Sequence, residues 1–240
     1  MSKKLYGLLL PLLAVVAFAS MAGAAQAAPH FYKCEHFAAK THKWVDSACS
    51  VESGTNVGEY ERSRLPFTGA KTRVKTFGVL TIHNEHIGEV KCFVDDHGKV
   101  WNTLLAEPGF DEVQFFENYE CESSTSPCTS GWVLTSEGLP WPTELLAGPP
   151  IRDKIGTAAT PVKIKVVCTS LAVNEVFHGE LTPKYVNGTQ ANGGTSFVEF
   201  DTPGSGHLEP TVVATGPATV TGKDFIIGVE NAEQILVINP

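Results

Sequence analysis

Glu89-Val90-Lys91-Cys92-Phe93-Val94-Asp95 alternates strictly. Val90, Cys92 and Val94 point one way while Glu89, Lys91 and Asp95 point the other, which is the period-two mark of a strand with one buried face. Val162-Lys163-Ile164-Lys165-Val166-Val167-Cys168 answers it far downstream, with Val162, Ile164, Val166 and Cys168 sharing a face and Lys163 and Lys165 outside. Each strand places one cysteine on its apolar side. In an oxidised protein this pattern predicts a Cys92–Cys168 disulfide through the core, tying the front of the fold to the back. The alternative is a pair of free thiols packed as small hydrophobes.

The N-terminus bears on which alternative applies. Lys3-Lys4 opens the chain, Leu5 to Ala19 is apolar and uncharged, and Ala22-Gly23-Ala24 and Ala25-Gln26-Ala27 offer small-x-small cleavage sites. The apolar run is short for a membrane span, which needs ~20 residues. This is the pattern of a secretory leader over residues 1–27, cut after Ala27. No later stretch has the length of a spanning helix, so the mature protein is expected to be secreted, with no membrane span. Residues 1–27 hold two lysines and no acid, leaving 16 basic against 26 acidic side chains and a net charge of −10. That balance argues against nucleic acid and anionic membrane surfaces as partners.

All six cysteines follow the leader. An even count in an exported chain reads as three disulfides, although six cysteines allow 15 pairings. The expected set is Cys34–Cys49, Cys92–Cys168 and Cys121–Cys128, the first and last being local loops that close at small entropic cost. No C-x-x-C spacing is present, which disfavours zinc.

From Lys71 onward short β-rich runs alternate with turn signals. Phe77 to His83 and the Cys92 strand flank Asn84-Glu85-His86-Ile87-Gly88, a hairpin with a short Gly-containing loop. His83 and His86 read as surface turn residues. Asp95-Asp96-His97-Gly98 reads as a further turn. Acid–base work is conceivable for its paired aspartates, but Asp and Gly favour such bends without any function. Val113 to Tyr119, Trp132 to Thr135, Ser196 to Asp201, Phe225 to Val229 and Gln234 to Ile238 are further strands, and Asn231-Ala232-Glu233-Gln234 could form one helical turn. Leu139-Pro140-Trp141-Pro142 is expected to cover an edge or cross between sheets, since two prolines remove ladder donors. Gly148-Pro149-Pro150 is strong punctuation, but the long-range bridge would cross it. The fold expected is all-β, an antiparallel sandwich or barrel stapled by disulfides, with little or no helix beyond the leader. Residues 28–64 form an N-terminal cap stapled by Cys34–Cys49, and residues 65–240 a single β domain.

The order of these landmarks is itself informative: a cysteine pair near the mature N-terminus, Gly58-Glu59-Tyr60-Glu61, a central strand cysteine (Cys92), a close pair (Cys121, Cys128), and Thr135 to Gly148 with its Pro-Leu-Gly character. This layout resembles a paralogue-rich family of uncharacterised secreted proteins from soil actinobacteria. The resemblance implies export and a shared β fold, and brings no catalytic residue.

Motifs of catalysis are missing: no G-x-S-x-G elbow, no Gly-rich phosphate loop and no H-E-x-x-H. His30, His36 and His42 recur at a spacing that shares no helix face, so they read as solvated. Asp201-Thr202-Pro203-Gly204 only superficially resembles an aspartic-protease loop. Asn187-Gly188-Thr189 matches a glycosylation sequon, relevant in a eukaryotic host. The sequence therefore assigns no catalytic, cofactor-binding or metal-ligating residue, and calls for no cofactor. It favours a secreted noncatalytic binding or structural protein, with a glycan or envelope component as a conceivable partner. Trp101, Trp132 and Trp141 could form an aromatic platform for such a ligand, the plainer reading being partly buried core. The alternative is a secreted β-fold hydrolase of polysaccharide, with Glu117, Glu120 and Glu122 as its acids.

Overall fold

The structure, a computed structural model, describes residues 28–201, 204–211, 216–229 and 234–238. The expected leader lies outside them, as does the helical turn except for Gln234, which opens the last strand. The strands are β1 (His30–His36), β2 (Tyr60–Arg64), β3 (Thr72–Asn84), β4 (Gly88–Trp101), β5 (Phe110–Glu122), β6 (Val133–Glu137), β7 (Trp141–Leu146), β8 (Arg152–Ile155), β9 (Val162–Cys168), β10 (Val173–Gly179), β11 (Lys184–Val186), β12 (Ser196–Phe200), β13 (His207–Pro210), β14 (Ala218–Gly228) and β15 (Gln234–Ile238). The only helical pieces among the described residues are single 3-10 turns, Thr169–Leu171 and Gln190–Asn192.

Strands β3, β4, β5 and β14 run the full height of the molecule. The other staves are each broken midway into two short strands: β6 with β7, β8 with β9, β10 with β11, and β12 with β13. The meander closes because β14 pairs with β3 over Val74 to His83, while its other edge takes β12 over one part and β13 over the next. At the remaining seams β5 takes β7 and β6, β8 faces β7 and β11, and β9 faces β6 and β10. All these pairings are antiparallel, so the chain forms a closed up-and-down barrel of eight staves. Closure removes the open edges that would otherwise template aggregation.

The breaks have a chemical cause. Pro140, Pro161 and Pro183 each sit in one of them, and a proline cannot donate to a ladder. Unlike the expectation for Leu139 to Pro142, however, Trp141 and Pro142 belong to a wall strand paired on both sides. The Pro142 carbonyl accepts from Gly156 N–H. A residue's N–H and C=O point to the same side of a strand, so the missing donor faces the break after β8, where nothing needs it. On the unbroken side, glycines supply the curvature. A Cβ at Gly222, where φ is +129°, would lie 2.2 Å from Val79 O, and one at Gly98 would lie 2.4 Å from Glu112 O. Only glycine lets neighbouring backbones approach so closely.

One end of the barrel is covered. Strand β15 leaves β14 at the Ile227–Gln234 pair and carries β1 and then β2 on its edge. The Cys34–Cys49 bridge (S–S 2.03 Å) lies beneath them with Trp44 and Leu236. Phe31 reaches from β1 into the barrel and is 1% exposed. Asn102, fully buried at the end of β4, clamps it there. Phe31 N–H donates to Asn102 Oδ1 (3.0 Å), and Asn102 Nδ2 donates to Phe31 O (3.0 Å) and Leu65 O (2.9 Å). Asn102→Ala would orphan two buried backbone groups, Phe31 N–H and Leu65 O, since Phe31 O keeps the Leu65 N–H. The expected loss is about 3 kcal/mol of unfolding free energy, readable as a lowered denaturant midpoint at unchanged slope.

The far end is stitched by sulfur, with partners other than those expected. Cys92 bonds Cys121 and Cys168 bonds Cys128; the Cys92–Cys168 and Cys121–Cys128 pairings do not form. Cys92 and Cys168 do both face the core, at 2% and 0% exposure. They sit on β4 and β9, however, and β5 and β6 intervene. Cys92 instead meets Cys121 on adjacent β5, at the irregularity where the β4–β5 register shifts. Cys128 comes from the loop after β5 and pins it to the end of β9. The closed wall thus supplies the continuity expected of a cross-core bridge, and it passes Gly148-Pro149-Pro150 without a boundary, because β7 and β8 pair directly.

Candidate ligand cavity inside the barrel

Inward alternation on β4 does not stop at Val94. Val90, Cys92, Val94, Asp96 and Val100 are all buried on one side of the strand. Asp95-Asp96-His97-Gly98 is therefore strand and not a turn, and Asp96 hangs inside the barrel. Three more aspartates join it there: Asp111 at the start of β5, Asp153 on β8 and Asp224 on β14. Asp96, Asp153 and Asp224 are 6%, 4% and 3% exposed. Asp111 as a whole is half-buried, but its Oδ1 is shut off from solvent.

The four carboxyls form two pairs. Asp111 lies beside Asp153, and Asp96 beside Asp224, close enough for one carboxyl to donate to the other when protonated. Thr76 Oγ1 donates to Asp224 Oδ2 at 2.7 Å. Carboxylates do not pair unless a proton lies between them, and burial supplies it by disfavouring the charged form. Burial, and then the charge of Asp153, pushes Asp111 well above the usual carboxylate range. Burial likewise raises Asp153, to about 7. Asp224 is driven well up by burial and then by Asp96. Asp96 is raised less, because hydrogen bonds from Asp224 and Thr76 oppose its burial. Burial thus favours a protonated carboxyl in each pair, most strongly Asp111 in one and Asp224 in the other.

The aspartates border a cavity of about 70 Å³ whose other walls include Leu80, Phe116, Ile164 and Val220. That is room for a few waters or for a molecule of a few heavy atoms, well short of the roughly 300–1,000 Å³ of a drug-sized site. Phe31 and Tyr185 close it towards the covered end, their rings edge to face at 6.3 Å. The Tyr185 hydroxyl donates to Ile235 O at 3.0 Å, and burial, then the Asp153 and Asp111 charges, pushes its phenol far up. Among the described residues no lysine, arginine or histidine lines the cavity. Oδ1 of Asp111, Asp153 and Asp224, and Oγ1 of Thr143 on the strand between β5 and β8, are buried without a hydrogen-bond donor outside the carboxyl pairs.

The residues singled out from the sequence fall elsewhere. Glu117, Glu120 and Glu122 are exposed along β5 itself and do not face one another across a cleft. Trp132 and Trp141 are core, 7% and 2% exposed, with their indole N–H groups donating to Ser126 O and Glu137 O. Trp101 stacks on Phe110 beneath Lys71 Nζ. No flat platform results. Exposed rings lie instead on the outer face of the unbroken staves, where Phe77 stacks with Phe225 and Phe93 with Tyr119, cross-strand pairs that brace the wall.

Asp201 is an outer ion pair. Lys184 Nζ lies 2.8 Å from its Oδ2 and Arg152 3.2 Å from its Oδ1. The hydrogen bond from Lys184 above all holds this carboxyl far below its usual range. The sequon amide at Asn187 is fully engaged, since Nδ2 donates to Val237 O and Oδ1 accepts Val237 N–H. Among the described residues no three His, Cys, Asp or Glu converge on a metal position. The lumen aspartates were missed because Asp breaks a hydrophobic pattern. The available signal was parity, Asp96 being two residues beyond Val94.

What fold and cavity define together is a closed antiparallel barrel with an acid-bearing lumen. The chain matches no protein-family model, no curated protein and no solved structure.

Proposed function

We propose that this chain is an exported, noncatalytic binding protein of the extracellular space or cell envelope, and that its ligand site is the barrel lumen. The observation that carries this reading is the set of unpartnered aspartate oxygens around the cavity. A barrel interior built for stability alone fills with apolar side chains. Buried acids without donors lower stability and mark a site whose polar partner comes from outside. Barrels of eight strands are of a size that either packs shut or encloses one small ligand. Export is supported by the leader-like N-terminus and by three disulfides, which persist in oxidising compartments. It also agrees with the resemblance to secreted actinobacterial proteins. Among the described residues no helix is long and apolar enough to cross a membrane. A polysaccharide hydrolase is favoured less, because a polymer cannot reach paired acids inside so small a chamber.

The test is a thermal-shift screen of small water-soluble metabolites against the mature protein, counter-screened with the cavity-filled variant Val198→Phe. At least one compound should raise Tm in the parent and not in the filled protein. A screen in which every stabilising compound acts equally on both would remove the lumen as the site.

A further inference from the structure

We propose that the two aspartate pairs form a site for a small organic ammonium ion, best matched by a short aliphatic diamine. This deepens the lumen-binding reading and rests on it.

The lumen is rich in acceptors and poor in donors. Its carboxyls come from β4, β5, β8 and β14, and the Oδ1 atoms of Asp111, Asp153 and Asp224 are buried without a partner. The Thr76 and Tyr185 hydroxyls are already directed to Asp224 and Ile235, and among the described residues no cationic side chain enters. A guest that satisfies Asp111, Asp153 and Asp224 must therefore bring N–H or O–H donors, and positive charge adds to the attraction in a poorly solvated space.

Three features select among cations. A bare calcium ion takes ~6–8 oxygens converging at one point, whereas these acids are divided into separate pairs and no three among the described residues gather at a metal position. An ammonium group needs only two or three acceptors, and one pair supplies them. The remaining lining, with Leu80, Phe116, Ile164 and Val220, suits a methylene stem. A cavity of about 70 Å³ admits a chain of a few atoms but not an aromatic amine or an amino sugar.

Binding also has a proton balance. In the empty protein burial favours a protonated carboxyl in each pair. An ammonium that docks on a pair replaces that proton as the bridging donor, and the proton leaves to the buffer. A diamine bound at both ends thus enters as a dication and expels up to two protons. No covalent bond changes.

The experiment is isothermal titration of the mature protein with 1,4-diaminobutane, n-butylamine and calcium chloride, each in buffers of different ionisation enthalpy. The same series is run on the double variant Asp96→Asn/Asp153→Asn, which keeps the shapes of both pairs and removes their ionising members. The expected result is diamine binding tighter than monoamine by about tenfold or more, with proton release, and loss of both in a variant that unfolds with the parent's cooperativity. Failure of both amines to bind at about 10 mM, near the limit of measurable affinity, would overturn the proposal, as would calcium binding more tightly than either amine or amine binding unchanged in the variant. If the metabolite screen finds cavity-dependent ligands of another class while the amines stay silent, the ammonium assignment falls and the lumen site stands.

Discussion

Acidification from about pH 8 to about pH 5 is expected to stabilise this protein, against the usual behaviour of an acidic chain approaching the range where surface carboxylates protonate. A carboxyl whose folded-state pKa is raised binds its proton more tightly folded than unfolded. It therefore favours the native state at low pH, and that advantage drains away as pH climbs from the unfolded value to the folded one. For Asp153 the window opens near its ordinary 3.8 and closes at about 7. A displacement of that size corresponds to a loss on the order of 4 kcal/mol across the window, at 1.36 kcal/mol per pKa unit. Asp96, Asp111 and Asp224, all raised by burial, contribute in the same direction.

The groups with opposite sign act elsewhere on the pH scale. Asp201, Asp46 and Glu35 are held below their usual values, so their contributions are present above pH 4–5 and fade only as pH falls below it. The measurement is the denaturant midpoint as a function of pH for the parent and for Asp111→Asn/Asp153→Asn. The variant should show a flatter profile and, above neutrality, a higher midpoint than the parent. A parent profile that is level between those two pH values, or one that the variant leaves unaltered, would contradict the burial of these acids.

Removing the Cys128–Cys168 bridge with a double serine replacement is expected to cost about 4 kcal/mol, the chain-entropy value for a loop of 40 residues. It is the longest of the three loops, so its loss should exceed that of Cys34–Cys49, which spans 15 and is worth about 3 kcal/mol by the same relation. Buried Cys168 adds to the cost, since Ser places a hydroxyl where a sulfur packed. Denaturant unfolding measures the loss. Peptide mass spectrometry without reduction checks the connectivity directly, and recovery of a Cys121–Cys128 fragment would refute it.

These two results bear on how far the sequence could be read. Strand direction and facing were legible wherever valines, isoleucines and cysteines alternate: Cys92 and Cys168 both point inward as their parity requires. Parity says which way a side chain points and is silent about which strand lies alongside. The pairing was misassigned for that reason, Cys92 being next to β5 and Cys168 next to the loop that leads out of it. Asp96 was hidden by the same chemistry that makes aspartate a good turn former, and only a ladder partner, Thr76 on one side and Phe116 on the other, makes it a wall residue. Asp153 lies in Arg152-Asp153-Lys154, where charged neighbours mask an inward position. Pro142 signals an edge or a crossing between sheets in the sequence, because the break that excuses its missing donor is a property of the neighbouring strand.

The two sensitivities of the molecule occupy different storeys. Both long sulfur bridges fasten the lower floor, among Val90, Val166 and Phe177, whereas the protonating acids sit on the upper one beneath Phe31. The interrupted staves mark the landing between them on one flank, and the four continuous staves run past it like a spine. A reductant and a base would thus loosen opposite storeys of the same tube, each leaving the other's fastenings in place.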